Sequence, residues 1–301
     1  YGFGGGMTFP IWAGATTVLS DERPSVEMAF TMIERFRPTY YFGVPTLYAQ
    51  QLIALESQPR DLSSIRAASS AGEALPAHVF HRWKEATGIT ILDGIGSTEV
   101  LHIFVSNRHD DVRPGTSGRP VPGYEVKIVD IDGNRLPDGE IGYLWVKGDS
   151  NARCYWNNPE KTEATMRGEW LNTGDMYCLS PEGYYVNMGR GDDMLKVGGI
   201  WCSPLEIEEH LLKHPKVREA AVVGRADSDG LLKPAAYVVL RDCGDAGEPT
   251  TNELIQHCKS GLAGYKYPRW FVFIDELPKT VTGKVQRFQL RQRSGLDADM
   301  A

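Results

Sequence analysis

The sequence predicts an α/β segment over residues 1–110, a β-rich segment over 111–191 and a small α+β unit over 192–301. Three observations lead there. Short apolar runs alternate with helix-period stretches in the first third. The helical period then fades. It returns in the last third, with two capping-box signatures between apolar strands. A chain of 301 residues is long enough for more than one domain.

In the α/β segment, TTVLS (16–20) reads as a strand followed by Pro24 and a helical run over 26–36. TYYFGVP (39–45) reads as a strand ending in a turn, and 47–55 resumes the helical pattern. SIRAASS (64–70) runs from strand to loop, and the next helix starts near Pro76, whose missing amide suits a first turn. ITILDGIG (89–96) is an apolar strand running into a glycine-rich loop. This order fits an open α/β sheet, with ligands at the carboxyl edge of the strands. In the β-rich segment, EVKIVD (125–130) and GYLWVKG (142–148) flank the turn signal DIDGNRLPDGE, and GYYVNMG (183–189) follows. A short helix is expected near 159–167.

In the last unit, Ser203, Pro204 and Glu206 mark a helix start: N-cap, first helical position and capping-box closure. AAVVG (220–224) and AAYVVL (235–240) are strands. Thr250 with Glu253 reads as a capping box for a helix over 251–262, and RWFVFIDEL (269–277) as the last strand. The polar tail after Arg291 is expected to fray.

Composition narrows the function classes. The chain is 42% hydrophobic and 24% charged, with net charge -7 and no dense Lys/Arg tract, so no nucleic-acid partner is expected. No run of about 18 apolar residues occurs, so no transmembrane span is expected. Cys154, Cys178, Cys202, Cys243 and Cys258 form no CxxC pair, which fits reduced thiols and a cytoplasmic location. No HExxH motif or Cys/His cluster supports a zinc hydrolase, and no GxSxG elbow supports a serine hydrolase.

Four segments could carry chemistry. In Gly94-Ile95-Gly96-Ser97-Thr98-Glu99, glycines allow close backbone approach to a phosphate, hydroxyls can donate to it, and Glu99 can hold Mg²⁺ through oxygen. The same residues also fit an ordinary glycine-rich turn. GRGDDMLKVGG (189–199) concentrates Arg190, Asp192, Asp193 and Lys196 at a junction. It reads as a nucleotide contact and hinge, or as a charged interdomain loop. Asp175, after Gly174, can accept two ribose hydroxyls or serve as a turn aspartate. Lys284, in the turn TVTGKVQR, can reach a cleft and neutralise developing charge, or point into solvent.

DGIGSTEVLHIF (93–104), LNTGDMY (171–177), GRGDDMLKVGG (189–199) and PKTVTGKVQR (278–287) together resemble the adenylate-forming family of acyl-CoA synthetases, peptide-synthetase adenylation domains and luciferases. SSAGEALP (69–76), the pair His102–Ile103, SGRPVPGYEVKIVD (117–130) and YGFGGGMTFPIWAGATTVL (1–19) resemble its benzoate- and hydroxybenzoate-activating branch. The resemblance implies the α/β and β-rich remainder of a large adenylation domain over 1–191, followed by a small mobile C-terminal α+β domain over 192–301.

It also implies two-step chemistry. A carboxylate attacks the α-phosphate of ATP to give acyl-adenylate and diphosphate. Coenzyme A thiol then displaces AMP. In that frame Gly72, Glu73, Asp93, Gly94, Ser97, Thr98, Asp175 and Arg190 contact the nucleotide. Thr98 and Glu99 serve phosphate and Mg²⁺, Lys284 serves adenylation, and Asp192 is the hinge. Gly198 and Gly199 border the pantetheine arm of CoA, and Tyr1, Gly94, Gly96, His102 and Ile103 line the aryl pocket. His102 suits a ring hydroxyl or amino group. Such enzymes also carry a Ser/Thr/Gly-rich phosphate loop with a lysine, which has no counterpart here. The resemblance therefore implies a further N-terminal portion as partner and low activity for this chain alone. Two alternatives stay open: a related enzyme that loads a carrier-protein thiol, and a non-catalytic fragment that binds nucleotide or protein.

Overall fold

The computed structural model describes residues 1–22, 24–280 and 283–296. It comprises two compact units, 1–173 with 177–187 and 174–176 with 188–301. The first is a mixed α/β body with two sheets, and the second is a smaller α/β body.

The first unit opens with a π-helical turn at Gly4–Thr8 and helix α1 (Phe9–Ala13), followed by α2 (Val26–Phe36), β1 (Tyr40–Gly43), α3 (Pro45–Ser57), β2 (Ala67–Ser70), α4 (Ala77–Thr87) and β3 (Ile91–Gly96). Then come β4 (Ile103–Ser106) and β5 (Arg119–Pro120). Sheet order is β1-β2-β3-β4-β5. The first three strands pair in parallel and the last two pairings are antiparallel. Phe30, Ile33, Tyr48, Leu52, Trp83 and Ile91 close the core between the helices and this sheet. Ser25 caps α2 by accepting from the Met28 amide at 3.1 Å.

Further on lie β6 (Glu125–Val129), β7 (Gly142–Lys147), α5 (Pro159–Thr165), β8 (Met166–Arg167), β9 (Trp170–Leu179) and β10 (Tyr185–Arg190). Their sheet has order β10-β9-β7-β6, with β8 paired to β9. Inward residues alternate along β7, with Leu144 and Val146 fully buried against Phe104 and Leu171.

The second unit holds β11 (Leu195–Val197), β12 (Ile200–Cys202), α6 (Pro204–Leu211), β13 (Val217–Ala226), β14 (Leu232–Leu240), α7 (Glu248–Gly261), β15 (Trp270–Phe273) and α8 (Arg287–Leu296). Its main sheet runs β13-β14-β15 and is apolar on both faces. Val222, Ala236 and Val238 face Ile207, Leu211 and Leu254, while Ala221, Val223, Tyr237 and Val239 face Leu277 and Leu290. A strand covered on both sides carries a continuous apolar run.

Several expectations need correction. TTVLS is coil, with Leu19 73% exposed; β propensity does not make a strand without a neighbouring strand to pair with. Pro76 is the N-cap of α4, one residue before its first turn. Asp175 does not follow a simple turn: it lies inside the ten-residue strand β9, where Gly174 alone adopts φ +73°. Ser203 does cap α6, accepting from the Glu206 amide at 3.3 Å, but the Glu206 carboxylate goes to Lys266 at 2.6 Å instead of closing the box. The second capping box fails. Helix α7 starts at Glu248, Thr250 is buried inside it, and Glu253 pairs with Lys216 at 2.8 Å. The tail after Arg291 continues α8 as far as Leu296; residues 297–301 lie outside the described set.

Candidate active site

In the first unit, the candidate residues gather around the carboxyl end of β3 and its passage into β4. Ser69, on neighbouring β2, is the hub. Its carbonyl accepts from the Tyr1 phenol at 3.0 Å and the Tyr48 phenol at 2.7 Å, and its hydroxyl bonds the Tyr40 phenol at 2.5 Å. Burial raises all three phenols above their ordinary pKa, so they remain neutral donors.

Tyr1 also meets His102, with ring centroids 5.5 Å apart, and Phe9 packs edge-on to the same imidazole at 4.5 Å. His102 Nε2 lies 3.1 Å from the Tyr1 carbonyl oxygen. A carbonyl only accepts, so the proton sits on Nε2 and leaves Nδ1 a lone-pair acceptor. Burial holds this imidazole below its ordinary pKa, and therefore neutral near pH 7. His102 fills the space above Gly4, where a β-carbon would lie 2.1 Å from its Cδ2.

Gly94 and Gly96 have a local cause. A β-carbon on Gly96 would lie 2.3 Å from the His102 carbonyl oxygen, and one on Gly94 would lie 2.7 Å from that of Val105. The β3–β4 ladder shifts register between Ile95 and Gly96, which brings the two backbones close. Gly96→Ala is therefore expected to cost about 1–3 kcal/mol of stability, since backbone cannot yield as a side-chain tip would. Urea melts of both proteins check this, and an unchanged midpoint would refute the close-packing account.

The Asp93 side chain is buried, and Asn107 donates twice to the Asp93 backbone carbonyl, from its backbone N at 2.9 Å and from Nδ2 at 3.1 Å. Burial pushes its carboxyl up to about 8, against weaker opposition from the Leu75 amide. Gly72 takes φ +94° in the loop after β2, and Thr46 donates to Glu73 at 3.2 Å.

Beyond β3, Thr98–Val100 forms a single 3₁₀ turn. Thr98 is exposed, and Glu99 accepts from the Tyr155 phenol at 2.6 Å. Burial pushes the Glu99 carboxyl up, but the Tyr155 hydrogen bond and its own amide outweigh that and hold it below its ordinary value. The turn ends at Leu101, a non-glycine residue at φ +72°. That uncommon backbone reverses the chain between Glu99 and His102. Ser69, Tyr40, Tyr155 and Leu101 were not singled out in the sequence. Their roles come from partners distant in the chain or from backbone geometry, and no local motif marks them.

In the second unit, Gly174, Asp175, Arg190 and Asp192 come together. Arg190 lies 3.4 Å from Asp175 and 3.5 Å from Asp192. Gly174 makes room for this guanidinium, since a β-carbon there would lie 2.8 Å from an Arg190 nitrogen. Asp192 is 72% exposed in the turn after β10. Gly198 and Gly199 sit apart, at the tip of the β11–β12 hairpin, with φ +58° and +85°. A two-residue turn of that hand favours glycine at both positions. Lys284 is exposed on a turn whose stem pairs Lys279 with Val285. The Lys284 amide donates to the Thr280 hydroxyl at 3.1 Å. Val281 and Thr282 of that motif lie outside the described residues.

The residues present fit a nucleotide phosphate and a magnesium ion. Ser97 Oγ and Asp93 Oδ1 are buried polar atoms, and Thr98 is exposed beside Glu99. Among the described residues no cluster of three His, Cys, Asp or Glu side chains exists. A cation here would thus take Glu99 with non-carboxylate oxygens, as magnesium commonly does on phosphates. Nor is any helix of the described residues long and apolar enough to cross a membrane.

Comparison with known proteins agrees with these features. Residues 1–156 match the AMP-binding enzyme family, and residues 206–284 match the AMP-binding enzyme C-terminal domain. The benzoate–CoA ligase of Thauera aromatica is 53% identical over 97% of the chain and 55% of the relative. The 4-hydroxybenzoate–CoA/benzoate–CoA ligase of Rhodopseudomonas palustris is 45% identical over 99% of the chain and 56% of the relative. An anthranilate CoA ligase solved with anthranoyl-AMP superposes with TM-score 0.93 at 48% identity, over 99% of this chain and 58% of that one. A benzoate CoA ligase of Burkholderia xenovorans LB400 gives 0.87 at 50% identity, over 97% and 58%. The chain spans about half the length of the curated relatives it matches.

Proposed function

Because the chain belongs to the AMP-binding enzyme family of adenylate-forming acyl-CoA synthetases, on its aryl-CoA ligase side, we propose that it supplies the aryl pocket, part of the nucleotide site and the mobile C-terminal domain of an ATP-dependent benzoate-type CoA ligase. The observation that carries this reading is the meeting of Tyr1 and His102 beside a loop that ends in Thr98 and Glu99. It sets an aromatic wall one turn away from hydroxyl and carboxylate groups suited to phosphate.

In this reading a flat aromatic acid lies against Tyr1, Gly94, Gly96, His102 and Ile103. The His102 Nδ1 lone pair accepts from a hydroxyl or amino substituent, which would favour such acids over bare benzoate. Ser97 and Thr98 hydroxyls donate to phosphate oxygens of ATP. Gly72, Glu73, Asp93 and Gly94 border the nucleotide, and Asp175, oriented by Arg190, accepts from the ribose hydroxyls. Glu99 would hold Mg²⁺, which supplies charge neutralisation on the phosphates when bound. Lys284 stabilises charge that grows as carboxylate attacks the α-phosphate. Residues 192–301 then swing about Asp192, and Gly198–Gly199 line the approach of the CoA thiol.

A further N-terminal portion is the proposed partner. Phe3, Ile11, Trp12 and Leu19 are 60%, 70%, 90% and 73% exposed, and among the described residues strand β1 pairs on one side only. Both features support a covering polypeptide, as does the extra length of the relatives.

The test is an assay of the full-length enzyme with ATP, CoA and a panel of aromatic acids. Acid-dependent thioester formation with AMP release that requires CoA is expected, and the chain alone should be weak or inactive. No thioester with any aromatic acid, or acyl transfer only to a carrier-protein thiol, would overturn the proposal.

A further inference from the structure

The Lys284 turn is braced on both flanks within the second unit. On one flank, Lys279 pairs with Glu219 of β13, and both side chains are partly exposed. On the other flank, Arg287 at the start of α8 meets Glu208 of α6, with 18% and 10% side-chain exposure. One Arg287 nitrogen lies 2.9 Å from Glu208 Oε1 and 2.7 Å from Oε2. Glu208 Oε1 also accepts from the Val222 amide of β13 at 2.7 Å. A single buried carboxylate thus joins α6, β13 and the first turn of α8, three residues after Lys284.

Helix α8 is held further along as well. Arg291 pairs with Asp193, next to Asp192. The Tyr237 phenol donates to the Leu290 carbonyl at 3.3 Å and bonds the Ser294 hydroxyl at 2.9 Å. Burying two opposite charges is costly, and an apolar pair often serves stability as well, so stability alone is weak grounds for this pair. Arg287 offers something a greasy contact does not: a directional anchor three residues from an exposed lysine. Burial raises the Glu208 carboxyl above its ordinary pKa, and the Arg287 charge opposes that.

We propose that the Glu208–Arg287 pair is a positioning device that seats the Lys284 turn for adenylation. This rests on the ligase reading above. The pair acts on Lys284 through the backbone of 284–287, since Arg287 follows Lys284 by three residues. The partly exposed Lys279–Glu219 pair braces the other flank more weakly, because solvent-open ion pairs contribute little.

The test uses Arg287→Gln, Glu208→Gln, Arg287→Lys and Lys279→Gln in the full-length enzyme. Acid-dependent ATP–diphosphate exchange reports adenylation, and thioester formation from supplied acyl-adenylate reports the second step. Arg287→Gln and Glu208→Gln should lower the exchange kcat about 10–100-fold, as expected of a misplaced catalytic group, with the thioester step within about threefold. Arg287→Lys should recover part of the loss, and Lys279→Gln should stay within about twofold. Hydrogen exchange of the 283–286 amides should speed up in Arg287→Gln while β13 and β14 stay protected. This arm is independent of the ligase reading and tests the seat even if the parent activates no aromatic acid. Exchange kinetics within twofold of the parent, or equal loss in both steps with general loss of amide protection, would overturn the proposal. If Arg287→Gln does not fold, Glu208→Gln and Arg287→Lys decide by the same two readouts.

Discussion

Replacing Lys284 with alanine is expected to slow acyl-adenylate formation about 10²–10³-fold, roughly 3–4 kcal/mol of transition-state stabilisation, as for loss of one preorganised charge-stabilising group. Thioester formation from supplied acyl-adenylate should be almost unchanged. The reason is geometric. The turn presents Lys284 outward while its stem is tied by the Lys279–Val285 bridge and the Gln286 amide donates to the Pro278 carbonyl at 2.8 Å. The side chain is exposed and takes no part in the hydrophobic core, so its loss should leave the melting temperature near that of the parent. Parallel measurement of acid-dependent ATP–diphosphate exchange and of the second half-reaction in the full-length enzyme checks this. Equal losses in both steps would show that Lys284 has no role particular to adenylation.

Asp93→Asn is expected to stabilise the fold by an amount that grows with pH. Burial raises the Asp93 carboxyl from 3.8 to about 8. The folded protein therefore binds this proton more tightly than the unfolded chain. The stability Asp93 contributes is fully present below about pH 4 and is lost as pH rises through 8, at a slope of up to about 1.4 kcal/mol per pH unit. Asparagine is neutral throughout and escapes the loss. Urea melts of parent and variant should diverge between pH 5 and 8 and run parallel above that. A constant difference across the range would mean that Asp93 titrates as an ordinary surface carboxylate. Because burial favours the protonated Asp93 carboxyl, the neutral variant should also keep most of its adenylation rate near pH 7.

Much of the site was legible because its loops are short and locally determined. Glycines at 94 and 96, hydroxyls at 97 and 98 and a carboxylate at 99 stand in line, and the β3–β4 passage keeps them together. Asp175 and Arg190 were legible as types but not as neighbours. Their pairing depends on Gly174 adopting a left-handed backbone inside a strand, which a sequence reading takes for a turn. The Ser69 hub was not legible at all. It receives phenols from residues 68, 29 and 21 positions away, and nothing near Ser69 announces them.

By itself the sequence determined where apolar period 2 and period 3.6 begin and end, and hence most of the strands and helices of both units. It also determined which polar residues stand in glycine-containing loops, because spacing along the chain sets what such loops can present. Tertiary structure alone decided the rest. TTVLS has strand-forming side chains but finds no partner strand among the described residues, so it stays coil. Thr250 and Glu253 have cap-forming side chains, but the Lys216 ammonium claims Glu253. Glu208 and Arg287 stand 79 positions apart and become one buried anchor only when α6 and α8 both pack on the strands between them. The physical reason is the same in each case. A hydrogen bond or ion pair forms with whichever partner the fold brings near, and the fold is set by the burial of apolar faces.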